Sequence, residues 1–110
     1  MVMNILFVCS ANRLRSPTAE AVFDGHDGIV ARSAGTNGDA PWPIEPDLIE
    51  WADMIFAMER YHVTTIRRRF RAHLKDRKLI CLDIPDDYDY MDPRLIRLLH
   101  TKVSRLIGIR

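Results

Sequence analysis

A chain of 110 residues with 47% hydrophobic and 28% charged side chains is long enough to bury a core as one domain and too well balanced to be disordered. A formal net charge of +1 gives no reason to expect nucleic acid as a partner, and no stretch has the length of apolar sequence that crosses a membrane. Its two cysteines, Cys9 and Cys81, stand far apart in apolar runs; they exclude a disulfide framework and suit a reducing, cytoplasmic compartment.

The apolar opening lacks a basic lead, is too short for the core of a signal peptide and runs straight into Arg13 and Arg15. Bulky Val8 before Cys9 does not fit a lipidation site. Residues 5–8 are instead read as a buried strand. Ser16-Pro17 opens the first helix, with Ser as N-cap and Pro at the first helical position. That helix carries Ala19, Val22 and Phe23 and ends near Gly25. A second strand covers 29–32.

Residues 36–46 hold Gly38 and three of the six prolines and are expected to form an exposed loop. A short helix over 45–51 leads into a third strand, 54–57. Val63, Ile66, Phe70 and Leu74 then recur at helical spacing, before a fourth strand over 78–82. The last helix begins at Asp92-Pro93, again N-cap and first position, and places Leu95, Leu99, Val103 and Leu106 on one face. Strand and helix alternate throughout. The pattern predicts an α/β fold, a four-stranded parallel sheet with helices on both faces and right-handed crossovers, over residues 1–110.

The chemistry is concentrated in Ile5-Leu6-Phe7-Val8-Cys9-Ser10-Ala11-Asn12-Arg13-Leu14-Arg15-Ser16-Pro17. This is a strand, a short loop and a helix start, so the loop lies at the carboxyl edge of the sheet where α/β folds bind ligands. Amides curling into a helix N-terminus face one point and form an anion site. Cys9 begins the loop, beneath that site, where the field favours the nucleophilic thiolate. Arg15 folds over the loop to offer its planar fork to two phosphate oxygens. Ser16 is placed to donate a hydrogen bond to the sulfur.

The run Val8-Cys9-x-x-Asn12-x-x-Arg15-Ser16-Pro17, followed by Ala19-Glu20, resembles the active-site signature of the low-molecular-weight protein tyrosine phosphatases. Arg32-Ser33-Ala34-Gly35-Thr36 is similar to the family's second strand and the turn after it, and Ala52-Asp53-Met54-Ile55-Phe56-Ala57-Met58 to its third strand. Ile84-Pro85-Asp86-Asp87-Tyr88 resembles the loop that carries its general acid. The resemblance implies a Rossmann-like three-layer fold and a phosphatase that needs no cofactor. It implies Cys9 as nucleophile, Arg15 with the loop residues Ser10, Ala11, Asn12, Arg13, Leu14 and Ser16 as phosphate ligands, and Tyr88 at the rim of the pocket.

Departures from the family pattern are specific. Ala11 replaces a usual glycine, which requires that its φ be negative. Leu14 stands where most members carry a second cysteine that protects the nucleophile as a disulfide. The chain is shorter between Thr36 and Asp53, where a helix and a histidine supporting the loop asparagine would lie, so Asn12 is expected to find another partner. Asp86, Asp87 and Asp92 all lie in the acid loop. Asp86, two residues before Tyr88, matches the family's acid, whereas Asp92 is expected to be occupied as an N-cap. Arg13 sits at a position that tunes substrate choice and is neither residue expected there.

Other features have plainer readings. Cys81, between Ile80 and Leu82, is read as a small buried hydrophobe. The four histidines have no metal-ligand spacing, and the acidic cluster from Asp83 to Asp92 does not match a calcium loop. Arg67, Arg68, Arg69, Arg71, Lys75, Arg77 and Lys78 form a basic run, ordinarily the solvated face and C-terminal end of a helix, alternatively a dock for acidic partners or RNA. Trp42, in the exposed loop, is a second candidate rim residue.

The expected function is hydrolysis of phosphotyrosine in proteins, or of a small aryl phosphate, through a phosphocysteine, with phosphate and vanadate as inhibitors. Two alternatives remain at this stage: an arsenate reductase-like enzyme, which needs further cysteines, and a non-catalytic phosphate- or RNA-binding module.

Overall fold

The computed structural model describes residues 2–108. In chain order the elements are β1 (Met3–Cys9), α1 (Arg15–Phe23), β2 (Ile29–Gly35), α2 (Pro46–Trp51), β3 (Met54–Ala57), α3 (Arg60–Leu74), β4 (Lys78–Cys81) and α4 (Pro93–Ile107). The strands form a four-stranded sheet in the order β2-β1-β3-β4, and every pairing is parallel.

Alternation along the strands divides the interior into two cores. Ile5 and Phe7 of β1, with Met54 and Phe56 of β3, point toward α1 and α4, where they meet Ala19, Phe23, Leu95, Leu99 and Val103. Leu6 and Val8, with Ile55 and Ala57, point the other way, toward Ile49 of α2 and Val63, Ile66 and Phe70 of α3. The phenyl ring of Phe7 stacks between those of Phe23 and Phe56 at 5.7 and 5.6 Å. It ties α1 to the two central strands, and truncating it to alanine removes about 3–5 kcal/mol.

Several boundaries differ from expectation. β2 runs on to Gly35 because its last residues pair with Val8 and Cys9 of β1. The segment after it is exposed at Trp42 yet buries Ala40 and Ile44, and Gly35 donates to the Trp42 carbonyl while accepting from the Ile44 amide. Leu106, assigned to the apolar face of the last helix, is 49% exposed; Ile107 packs on the core in its place. Among the described residues no helix is long and apolar enough to cross a membrane.

Candidate active site

The chain leaves β1 toward α1 on one face of the sheet and leaves β3 toward α3 on the other. Since β1 and β3 are neighbours, their carboxyl ends border a crevice, the topological switch point at which open α/β sheets bind ligands. Cys9 ends β1 there, and Glu59 lies just past the end of β3. The segment after β4 joins them, as Ile84 donates to the Met58 carbonyl and Met58 to that of Val8.

Between Cys9 and α1 the loop is curled by Asn12, whose φ is 57°. Ala11 is not among the residues with positive φ, so the missing glycine costs nothing here. Among the described residues, the backbone amides from Ser10 through Ser16 donate no hydrogen bond to the protein. A strand-to-helix loop with such unspent donors is an anion-binding nest. Behind it the wall is backbone: Thr36 and Asn37 donate to the carbonyls of Cys9 and Ser10. A Cβ on Gly35 would lie 2.5 Å from the Ser10 oxygen and 2.7 Å from Cβ of Ala40, so only glycine fits.

Ser16 does not cap α1. The helix starts two residues earlier than expected, at Arg15, with Leu14 in the cap position and no side-chain cap bond. The Ser16 hydroxyl instead lies 2.9 Å from Cys9 Sγ. Asn12 Nδ2 donates to Ser16 Oγ at 3.0 Å, which turns the single Ser16 O–H toward the sulfur, with the Ala34 carbonyl at 3.4 Å as its more distant acceptor. Asn12 thus has a partner from the loop itself, and its Oδ1 is buried without one.

Arg15 is 2% exposed. One nitrogen of its guanidinium donates both to Glu59 Oε1 and, at 2.7 Å, to the Ile84 carbonyl. Its Nε lies 3.6 Å from Asp86 Oδ1. Burial works to lower the Arg15 pKa, but the bond to Glu59 and the charges of Glu59 and Asp86 outweigh it, and the net displacement is upward. A fixed cation therefore stands beside Cys9.

No family model matches the sequence, and no curated protein is detectably similar to it. Solved structures match over nearly the whole chain. The arginine phosphatase YwlE from Geobacillus stearothermophilus is 25% identical with a TM-score of 0.78, over 96% of this chain and 91% of that one. A low-molecular-weight protein tyrosine phosphatase from T. tengcongensis has a TM-score of 0.80 at 20% identity, over 96% and 98%. The tyrosine phosphatase Wzb from Escherichia coli K30, in complex with phosphate, has 0.76 at 20%, over 98% of each. The chain has the fold of the low-molecular-weight protein tyrosine phosphatases.

Within this phosphatase fold three residues unremarked in the sequence complete the site. Glu59 holds Arg15, as above. His62, fully buried, accepts the Glu59 amide proton at Nδ1 (3.0 Å), an N3 side chain reaching back to the N-cap amide. Its proton is therefore on Nε2, which lies 2.8 Å from Ser10 Oγ. Burial, and then the charge of Arg15, lower its pKa to about 4, so it is neutral. Tyr61 pairs its hydroxyl with the same Ser10 Oγ and sets its ring 4.1 Å from that of His62. The available signal was positional: Glu59-x-x-His62 directly follows a strand of the switch point.

The remaining candidates separate. Arg13 and Trp42, the latter 69% exposed, line an open groove of about 770 Å³ with Asn12, Pro17 and Tyr90. Tyr88 packs against the α1–α4 core, with the Arg94 guanidinium 5.3 Å from its ring centre. Asp92 caps α4 through the Arg94 amide, and the Arg94 side chain and that amide hold its carboxyl below the usual carboxylate range. Cys81 is not a buried mid-strand residue. It ends β4, is partly exposed, and its thiol donates to Asp83 Oδ1 at 3.3 Å; burial still pushes that thiol's pKa up. It belongs to the α2–α3 face, Cys9 to the α1–α4 face.

Proposed function

We propose that this chain is a cysteine-dependent phosphomonoester hydrolase acting on phosphotyrosine or another aryl phosphate, with phosphate and vanadate as inhibitors, working in the cytoplasm. The observation that carries the reading is Cys9 Sγ held by Ser16 Oγ at 2.9 Å at the root of a loop whose amides are unspent. A phosphoryl group seated there presents three oxygens to the amides from Ser10 to Ser16 and to Arg15.

The Cys9 thiolate attacks phosphorus in line with the leaving oxygen, forming the S–P bond as the O–P bond breaks. Arg15 and the loop amides stabilise the charge on the equatorial oxygens in a geometry fixed beforehand by Glu59 and the Ile84 carbonyl. Asp86, on the exposed side of Arg15, gives its proton to the leaving phenolate. It then takes a proton from the water that displaces Cys9 from phosphorus, which releases phosphate and restores the thiolate. Ser16 steadies the thiolate as leaving group in that second step. Tyr61 and Trp42 flank the entrance.

Two observations weigh on the substrate. YwlE is an arginine phosphatase, but Arg13 stands at the mouth here, and its charge opposes a phosphoguanidinium while favouring a phosphate flanked by acidic groups. An arsenate reductase-like relay needs a second thiol within disulfide reach of the first. Cys81 is two strands away on the opposite face.

The deciding experiment is hydrolysis of p-nitrophenyl phosphate with excess chelator, comparing wild type with Cys9→Ser. Turnover that survives chelation and vanishes in the serine variant is expected, with vanadate raising the Tm of the wild type. Chelator-sensitive turnover, or full activity in Cys9→Ser, overturns the mechanism.

A further inference from the structure

The basic run of the sequence is two sets of residues in the structure. Arg69 donates to the Thr36 carbonyl, and Arg77 binds the carbonyls of Ala52, Glu50 and His73. These two hold α3 against its surroundings. Arg60, Arg67, Arg68 and Arg71 have no carboxylate within ion-pair distance among the described residues, and all four are exposed. With Val63 and Thr64 they line a groove of about 570 Å³ along α3.

Arg60, Arg67 and Arg68 share one face of the helix, and Arg71, just past a break in helical geometry at Phe70 (φ −125°, ψ 24°), lines the same groove about three turns from Arg60. Helix stability does not call for this arrangement. Arg67, Arg68 and Arg71 gather like charges along one groove, and Arg60 stands in the first turn, where the helix dipole disfavours a cation. The groove also continues toward the active site. Arg60 and Thr64 line the next depression with Glu59, Tyr61, Asp83 and Pro85. Glu59 holds Arg15, and Pro85 precedes Asp86.

We infer that this arginine-lined groove docks an acidic segment of a protein substrate, flanking the residue whose phosphate occupies the loop of Cys9. The inference rests on the phosphatase reading for the phosphate end alone. Three helical turns span about 16 Å, the length of about five extended peptide residues. The charges favour Asp and Glu on that stretch. Single-stranded nucleic acid would need aromatic platforms along the track; among the described residues lining it and the next depression the aromatic is Tyr61, which already pairs with Ser10.

The test compares wild type with the triple variant R67Q/R68Q/R71Q, none of which touches the loop of Cys9. Three substrates are used: p-nitrophenyl phosphate, a phosphotyrosine peptide with neutral flanks, and one with acidic residues on one side. The expected result is an acidic-peptide kcat/KM about tenfold lower in the variant, from several screened ion pairs acting together, with the other two substrates unchanged. The wild-type preference for the acidic peptide should also shrink as salt rises. A fluorescently labelled, unphosphorylated acidic peptide, followed by anisotropy, reads the groove independently of catalysis and should bind the variant several-fold more weakly. If p-nitrophenyl phosphate is not hydrolysed while this peptide still distinguishes the two proteins, the phosphatase reading fails and the docking surface stands. Equal handling of the acidic peptide by both proteins overturns the inference, as does tighter arginine-dependent binding of an RNA oligonucleotide than of the peptide.

Discussion

Ser10, the first residue after Cys9, is held by His62 from across the crevice, with Nε2 2.8 Å from Ser10 Oγ. The same imidazole accepts the Glu59 amide proton at Nδ1 and so works only when neutral. In the unfolded chain it takes up a proton near pH 6.5, whereas in the folded protein it does so only near 4. Between those values the unfolded state binds more protons, so stability falls as the pH falls, by at most about 1.4 kcal/mol per pH unit from this group. Urea unfolding of wild type and His62→Gln from pH 7 to 4 checks this; the variant should show the shallower slope.

Glu59 is expected to act on catalysis only through Arg15. Glu59→Gln keeps the shape and one acceptor but removes the charge that holds the guanidinium, and kcat/KM should fall by up to about 10²-fold, the scale of a misplaced reacting group. Phosphate affinity, read as the Tm rise on adding phosphate, should weaken as well. An unchanged kcat/KM would show that the Ile84 carbonyl alone positions Arg15.

The strands and helices were legible because apolar runs and helical spacing report burial directly. What escaped depends on pairing across the fold. Ser16-Pro17 looks like a capped helix start, yet the loop draws Ser16 to Cys9 and Asn12 and leaves Leu14 in the cap position. Cys81 looks buried between Ile80 and Leu82, but a strand side chain at the sheet's edge has no neighbour beyond it. Glu59 and His62 offered only their position just past β3, and Tyr61 not even that, since each acquires its role from Arg15 or Ser10, far away in the chain.

Asp86 should reveal itself by leaving-group dependence. Asp86→Ala is expected to lower turnover of a poor leaving group such as phenyl phosphate by about 10²–10⁴, and to matter far less for p-nitrophenyl phosphate, whose phenolate needs no proton. Asp92→Ala should lower the Tm and spare the chemistry, because its carboxylate is engaged by Arg94. The same dependence appearing in Asp87→Ala or Asp92→Ala, and not in Asp86→Ala, would place the acid elsewhere in the loop.

Peroxide should inactivate the protein with little recovery. A sulfenic acid at Cys9 finds Leu14 where a resolving thiol would be needed, and Cys81 faces the other side of the sheet, so oxidation proceeds to sulfinic acid. Mass spectrometry after graded peroxide should find that product at Cys9. A Cys9–Cys81 bridge, with activity restored by thiol, contradicts this.

Gly35 has a consequence for how such a site could change. The space behind the loop is closed by main chain at 2.5 Å from any added carbon, and main-chain atoms cannot be exchanged by mutation. The floor of the pocket is therefore as good as fixed for any sequence that keeps this fold. Variation in what is accepted is confined to the threshold, where Arg13 and Trp42 are exposed and can be replaced without disturbing the chemistry beneath.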